Sequence, residues 1–350
     1  MSNAEITEVR DAVADLLAAR VTPEVLEAAE RDGWAAGVWE PLHAGGFTTV
    51  GVPEAAGGAG GSVAEACAVL EAAGAAAAPV PLAETGLLAG RLLASAGLDL
   101  PDGPLSTAAG TVALRRGTLS GRLERVAWAS AATRLVVLAD DPTDGAAVAL
   151  VDPAACTITL GHNLAGEPRE TVVLDGIVPE AMAPAPPGAQ DDLARRGALA
   201  RAAQIAGAAR RVLEVTVTYT GERVQFGRPV SRFPAVADHL VRIAEQAETA
   251  AMAARSAAVG AGADGEPAEL DVAAAAAVAS QAAGLVAAAA HQATGAMGVT
   301  REFALGVLTR RLWSWRDEWG GERAWSTRLG HTLAAVGPEE LWPTLSRGVR

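Results

Sequence analysis

Apolar positions recur at helical spacing along the first hundred residues. Val9, Val13, Leu16 and Leu17 share one face, and Thr22-Pro23 is a helix start with proline at the first position. Further helical patterns are predicted over residues 63–74 and 85–96. Before them, residues 46–62 (GFTTVGVPEAAGGAGGS) carry glycine too densely for a helix and without the GxGxxG spacing of a dinucleotide loop. That stretch is expected to be a loop whose backbone approaches another helix or a ligand closely. From about 105 to 180 the pattern changes to short apolar runs at 111–114, 135–139, 147–151, 157–160 and 171–174. Turn clusters such as Arg116-Gly117-Thr118 and Asp141-Pro142-Thr143-Asp144-Gly145 separate them. Closely spaced strands with no helix between them predict a small antiparallel β domain.

The segment 181–189 (AMAPAPPGA) has the composition of a proline-rich linker. Three long helical windows follow, at roughly 190–224, 234–262 and 268–294. The first carries Leu199, Ala202, Ala206, Ala209, Leu213 and Thr216 on one stripe, and at this length it would reach about 50 Å. Glycines at 295 and 298 interrupt the pattern, a fourth helix is expected from about Arg301, and a short one near 338–346. Long helices joined by short connections form an up-down bundle. The predicted fold class is mainly α with a small β domain. An N-terminal helical domain (1–104) precedes a middle antiparallel β domain (105–180) and a C-terminal four-helix bundle (181–350).

Composition narrows the function. Half of the 350 residues are apolar but only 4% are aromatic, and the abundant alanine favours closely packed helices. A formal net charge of −13 argues against nucleic acid or an anionic membrane as partner. No apolar run looks both long and unbroken enough to span a membrane. The acidic N-terminus lacks the layout of a signal peptide, so a cytoplasmic location is expected. All 28 basic residues are arginine. Without lysine there is no Schiff-base or pyridoxal phosphate chemistry and no Walker-type phosphate loop. The five histidines form no HExxH motif, and no Gly-x-Ser-x-Gly occurs, so zinc and serine hydrolase readings have no support. No metal site is expected. Cys67 and Cys156 stand far apart and are expected to act as small buried hydrophobes.

One stretch organises the rest. Tyr219–Leu240 (YTGERVQFGRPVSRFPAVADHL) ends a proline-free run from Gly188 to Arg228, broken by Pro229 and Pro234. Arg223, Gln225 and Phe226 cluster just before Gly227, at what the pattern predicts to be a helix–turn–helix elbow. This string resembles the Tyr-x-x-x-Arg-x-Gln-Phe-Gly-x-Pro helix end of the acyl-CoA dehydrogenase family. The loop from Val52 to Gly60 is similar to the family's PE-x-x-GG-x-G segment. The string from Gln292 to Glu302 is similar to its Q-x-x-GG-x-G turn. The three lie in the family's order, with the β domain between the first and second, and the resemblance covers nearly the whole chain.

The resemblance implies FAD as cofactor, an acyl thioester as substrate, an electron-transfer flavoprotein as electron acceptor, and a homo- or hetero-oligomer with a related subunit. It also implies that Arg223, Gln225, Phe226, Gln292, Gly295 and Gly298 contact FAD across a subunit interface. A guanidinium fork suits pyrophosphate oxygens. A second reading of Arg223 stands beside this one, as a cation at a helix C-terminus. Trp128 is open in the same way, either to flavin stacking or to a place in the core.

Three departures from the family pattern bear on mechanism. The β domain has no Thr-Glu-Pro-x-x-Gly-Ser string, which in the family holds the flavin ring. The family's catalytic Glu would fall on Trp319, leaving Glu318 as the candidate base one residue early, and its alternative position falls on Gly197. One residue on a helix turns a side chain by about 100°. Pro234 stands where the family has Gln. The expected activity is FAD-dependent α,β-desaturation of an acyl thioester. Two alternatives are a non-catalytic half-site subunit that clamps a complete partner's FAD, and a flavin monooxygenase on the same fold. Arg310-Arg311 and Arg316-Asp317-Glu318 are expected to form a solvated, salt-bridged helix face or a subunit contact, with Trp313, Trp315, Trp319 and Trp325 as core or interface anchors.

Overall fold

The structure, a computed structural model, describes residues 3–143, 145–262, 265–300 and 302–346. It divides into two compact units, one of residues up to 69 with 78–197, the other of 70–77 with 198 onward.

The first unit opens with three helices, α1 (Asn3–Arg20), α2 (Pro23–Asp32) and α3 (Ala36–Ala44). The Thr22 hydroxyl accepts from Val25 N and caps α2, whose first residue is proline, as the sequence predicts. The glycine-rich loop then folds on itself. Gly60 N reaches Val52 O at 2.9 Å, Gly51 N reaches Gly60 O at 2.7 Å, and a Cβ on Gly58 would run into the Val52 carbonyl. Its close approach is thus both to its own backbone and, through the Thr48 carbonyl, to the helical segment that follows α4. Helix α4 (Val63–Ala75) follows. The next segment departs from the predicted α-helix. Glu84–Gly90 is a π-helix, wholly buried, leading into α5 (Arg91–Ser95). Gly86 within it packs against the Thr48 carbonyl, 2.8 Å from where a Cβ would stand.

Seven strands form one sheet: β1 (Leu105–Arg115), β2 (Thr118–Ala127), β3 (Arg134–Asp141), β4 (Gly145–Val151), β5 (Thr157–Thr159), β6 (Arg169–Ile177) and β7 (Ala181–Pro184). Their order is β5-β6-β2-β1-β3-β4-β7. The expectation of a purely antiparallel sheet is corrected, because β1 and β3 pair in parallel. The reason is topological. β2 carries the chain back to the start of β1, and a short turn from Trp128 to Thr133 places β3 on the other edge of β1, starting from the same end. A strand laid down that way runs parallel without any crossover helix. The supposed linker is also corrected, since Ala181–Pro184 pairs with β4 as the edge strand β7. Proline there sits at the sheet edge, where a missing donor costs little. Leu119, Leu123, Leu135, Val137, Ala149 and Val172 belong to the core that the sheet buries.

The second unit is helical. Helix α6 (Ala189–Glu222) enters it and ends in a small hairpin, β8 (Val224–Gln225) and β9 (Arg228–Pro229). Helices α7 (Pro234–Gly260), α8 (Glu269–Thr294), α9 (Leu305–Trp315), α10 (Gly321–Val336) and α11 (Pro338–Ser346) complete it. The expected helix start at Arg301 lies outside the described residues. Ala247, Ala250, Ala251, Ala254, Ala257 and Ala258 of α7 are buried at helical spacing, as are fourteen residues of α8, mostly alanine. Small side chains on both faces let helix axes approach within the usual range of about 8–10 Å. Contrary to the sequence expectation, α8 with the turn after it has the length and hydropathy of a membrane span. Two thirds of its most apolar window is buried inside the protein, as in a core helix.

Candidate functional site

The elbow is a β-hairpin rather than a bare helix turn. Helix α6 stops when Arg223 N closes the last turn on Tyr219 O at 2.9 Å, and Val230 N then donates to Arg223 O at 2.8 Å. Phe226 and Gly227 both have positive φ, 49° and 77°, the pairing of a two-residue hairpin turn. A phenylalanine at positive φ is uncommon, and this one is 92% exposed at the tip. It meets Phe233 edge-on, with centroids 6.1 Å apart, and the Arg228 guanidinium lies 4.1 Å from the Phe233 ring. Arg223 and Gln225 are exposed, and among the described residues neither has a side-chain hydrogen bond or ion pair. Proline at 234, where the family pattern has Gln, begins α7 and is well suited to a first helical position.

The glycine turn lies in the same unit. Tyr219 meets Phe303, five residues beyond Gly298, with ring centroids 5.2 Å apart, which ties the end of α6 to the chain after that turn. Gly295 caps α8 with φ 60° and ψ −141°, its N–H on the His291 carbonyl, and open space where a Cβ would be. Gln292 and Gly295 are exposed. Gly298 is buried, because the side chains of Thr294, His291 and Leu305 occupy the room around it. His291 Nε2 sits 3.0 Å from Thr309 Oγ1, and burial pushes the imidazole pKa down from its ordinary value.

Trp128 belongs to the first unit. It is 2% exposed, with φ 48°, and the Arg169 guanidinium covers its ring at 5.0 Å. Arg169 in turn pairs with Glu167 at 3.2 Å, both side chains nearly sealed from solvent. Glu170 accepts from Ser130 N at 2.8 Å. Beside this, Ser106 Oγ donates to the Ala127 carbonyl. The residues that follow these two, Thr107 on β1 and Trp128 just past the end of β2, hold a buried hydroxyl and a buried indole N–H that find no hydrogen-bond partner among the described residues. Orphaned buried groups of this kind call for an explanation.

Glu318 lies on a 3₁₀ turn, Glu318–Gly320, not on an α-helix, so the one-residue, 100° slip does not describe it. Trp319 sits at φ 54°, ψ 33°, followed by Gly320 at φ 110° and Gly321 at φ 64°. This turn aims Glu318 inward. Its Oε2 accepts from Arg201 Nε at 2.7 Å, with side chains 7% and 4% exposed, and Arg201 also donates to Gln204 Oε1. Arg311 is buried too, which corrects the expected solvated face. Trp315 and Trp325 are core residues, whereas Trp313 is 41% exposed with Arg316 over its ring at 4.9 Å. Sequence reasoning missed Arg201. The available signal was an arginine within a buried alanine stripe that has no acid one turn away to pair with. Among the described residues no group of three or more His, Cys, Asp or Glu side chains could hold a metal ion.

Comparison with known proteins gives the family. Residues 3–99 match the model of the acyl-CoA dehydrogenase N-terminal domain, and 192–316 that of the C-terminal domain. The chain is 32% identical to acyl-CoA dehydrogenase IpdE2 of Mycolicibacterium smegmatis over 247 residues, 67% of this chain and 72% of that protein. Among solved structures, it resembles a chain of the ChsE4-ChsE5 complex from Mycobacterium tuberculosis, with a TM-score of 0.86 and 25% identity over 97% of this chain and 99% of that one. It also resembles the Tcur3481-Tcur3483 steroid ACAD, with a TM-score of 0.82 and 26% identity over 95% of this chain and 98% of that one. The chain belongs to the acyl-CoA dehydrogenase family, oxidoreductases that act on CH–CH groups.

Proposed function

We propose that this chain takes part in FAD-dependent α,β-desaturation of an acyl thioester, as one subunit of an assembly with a related subunit. The observation that carries this reading is the hairpin tip. Arg223 and Gln225 are exposed and uncommitted, and Phe226 projects a bare aromatic ring at a positive-φ turn. A free guanidinium beside an exposed aromatic suits a clamp on a phosphate-bearing ligand at a subunit interface better than a solvated helix end. Gln292 and the open Gly295 supply a second exposed contact in the same unit.

The fit to FAD is uneven. The clamp suits the pyrophosphate and adenine end. The ring seat is less complete, because the hydroxyl-rich string is missing and Arg169 covers Trp128. The orphaned Thr107 hydroxyl and Trp128 indole N–H are the β-domain groups available to the ring. When bound, the flavin supplies the hydride acceptor for the β-hydrogen. The chain's own residues bind and orient it. Electrons would then pass to an electron-transfer flavoprotein.

Two structural neighbours, at 25% and 26% identity, are complexes of two named proteins, which supports a heteromeric assembly here. One is a steroid enzyme, which makes a steroid-derived acyl thioester the first substrate to try. The test is co-expression with a related subunit encoded nearby, followed by a flavin absorbance spectrum. The expected outcome is a yellow complex that bleaches anaerobically on adding acyl-CoA, while this chain alone is colourless or weakly yellow. A complex without flavin would refute the reading.

A further inference from the structure

We propose that Glu318 is not the proton-abstracting base but the inner half of a buried ion lock with Arg201, which closes this chain's helical unit against an acyl group. The claim rests on the reading of the chain as one subunit of an assembly, because the carboxylate for the reaction must then come from the other subunit.

Three observations carry it. First, the carboxylate is committed. Glu318 Oε2 lies 2.7 Å from Arg201 Nε, with side chains 7% and 4% exposed, and Gln204 takes a second Arg201 donor. Five guanidinium donors in a rigid fork make such a partner hard to displace. Second, the aim of Glu318 is built into the backbone. Trp319 is held at positive φ, and bulky residues persist there only where their surroundings over-determine them. Trp325 supplies that constraint, with its indole N–H on the Trp319 carbonyl at 2.7 Å. The glycines that follow both adopt positive φ, and a Cβ on Gly320 would stand 3.0 Å from the Trp325 indole nitrogen. Third, there is no room. The cavity beside the pair, walled by Ala202, Ile205, Ala276, Ala279, Trp315 and Trp325, offers about 10 Å³. That admits roughly one water, whereas pockets for organic ligands run to about 300 Å³ or more.

The chemistry sharpens the conflict. In the desaturation, the α C–H bond breaks and its proton goes to a carboxylate, while the β C–H bond breaks and its hydride goes to the flavin. The base must touch the α-carbon. A carboxylate whose oxygen faces a guanidinium in a one-water cavity has no such contact. Gly197, the alternative family position for the base, has no side chain to offer and lies one helical turn before Arg201 in α6.

The experiment compares Glu318→Gln with wild type in two measurements. In the co-expressed complex, anaerobic bleaching by acyl-CoA is expected to stay within about threefold of wild type. In the purified chain without flavin, Glu318→Gln is expected to lower the melting temperature on the order of 5 °C, because it leaves the Arg201 charge buried without its counter-ion. A hundredfold or greater loss of bleaching with flavin still bound is the scale of a lost general base, and it would overturn the proposal. An unchanged melting temperature would also overturn it. If Glu318→Gln fails to fold, the neutral pair Arg201→Gln with Glu318→Gln removes both charges together and is read by the same bleaching criterion. A wild-type complex that neither binds flavin nor bleaches would fault the assigned function, while the melting measurement would still report on the lock.

Discussion

At the scale of single residues, charge placement decides roles. Two arginines illustrate the contrast. Arg223 stands exposed with its side chain uncommitted, and Arg201 is sealed against a carboxylate. Removing the first should cost little stability and much cofactor affinity. Arg223→Ala is expected to weaken FAD binding in the complex ten- to a hundredfold, as lost charge-assisted hydrogen bonds of about 1.5–3 kcal/mol would do. Titration with FAD after deflavination measures it, and unaltered affinity would return Arg223 to a helix-end role. Gly298 is a different case. Its family motif suggested a backbone that meets a ligand, yet the side chains of Thr294, His291 and Leu305 fill its surroundings. Gly298→Ala is therefore expected to act through overpacking, destabilising by about 1–3 kcal/mol, readable as a lowered midpoint in denaturant.

At the scale of elements, the candidate contacts gather at helix ends. The last turn of α8 holds His291, which packs beside Gly298 and shares a hydrogen bond with Thr309. Burial favours its neutral form, so its folded pKa lies below the ordinary 6.5. A base with a depressed folded pKa contributes stability above the unfolded value, and that contribution fades as pH falls from 6.5 toward the folded value. Wild type should lose melting temperature on acidification across that window, and His291→Gln should flatten the loss. A slope that is the same in the variant would count against His291 as its source. The hairpin at the end of α6 shows the same logic in backbone terms. The sequence announced a break at Pro229 and Pro234, and the left-handed pair Phe226-Gly227 converts that break into a projecting tip.

For the molecule as a whole, the uneven fit to FAD sets a stoichiometry. Under the proposed function, a clamp without a complete ring seat would contribute to a flavin held mainly by the other subunit. The co-expressed complex is expected to carry about one FAD for each pair of chains. Flavin absorbance against protein mass measures this, and one FAD per chain would mean that Thr107, Trp128 and their neighbours build a full seat after all.

The sequence by itself determined the helix–sheet–helix order, the three family strings and the three long helical windows that became α6, α7 and α8, because these depend on local periodicity and on residue types at fixed spacing. It also excluded lysine chemistry, which needs only a count. The parallel pairing of β1 with β3 was beyond it, since that follows from where β2 returns the chain and not from any run of residues. The edge strand β7 was hidden by Pro184 and the prolines that follow it, and a sheet edge tolerates a proline. The candidate base was the least legible feature. Periodicity placed Glu318 on a helix face, and only the folded chain brings it to Arg201, 117 residues away, through a turn that a tryptophan and two glycines hold at positive φ. A pairing across that separation depends on helix packing, which no local pattern encodes.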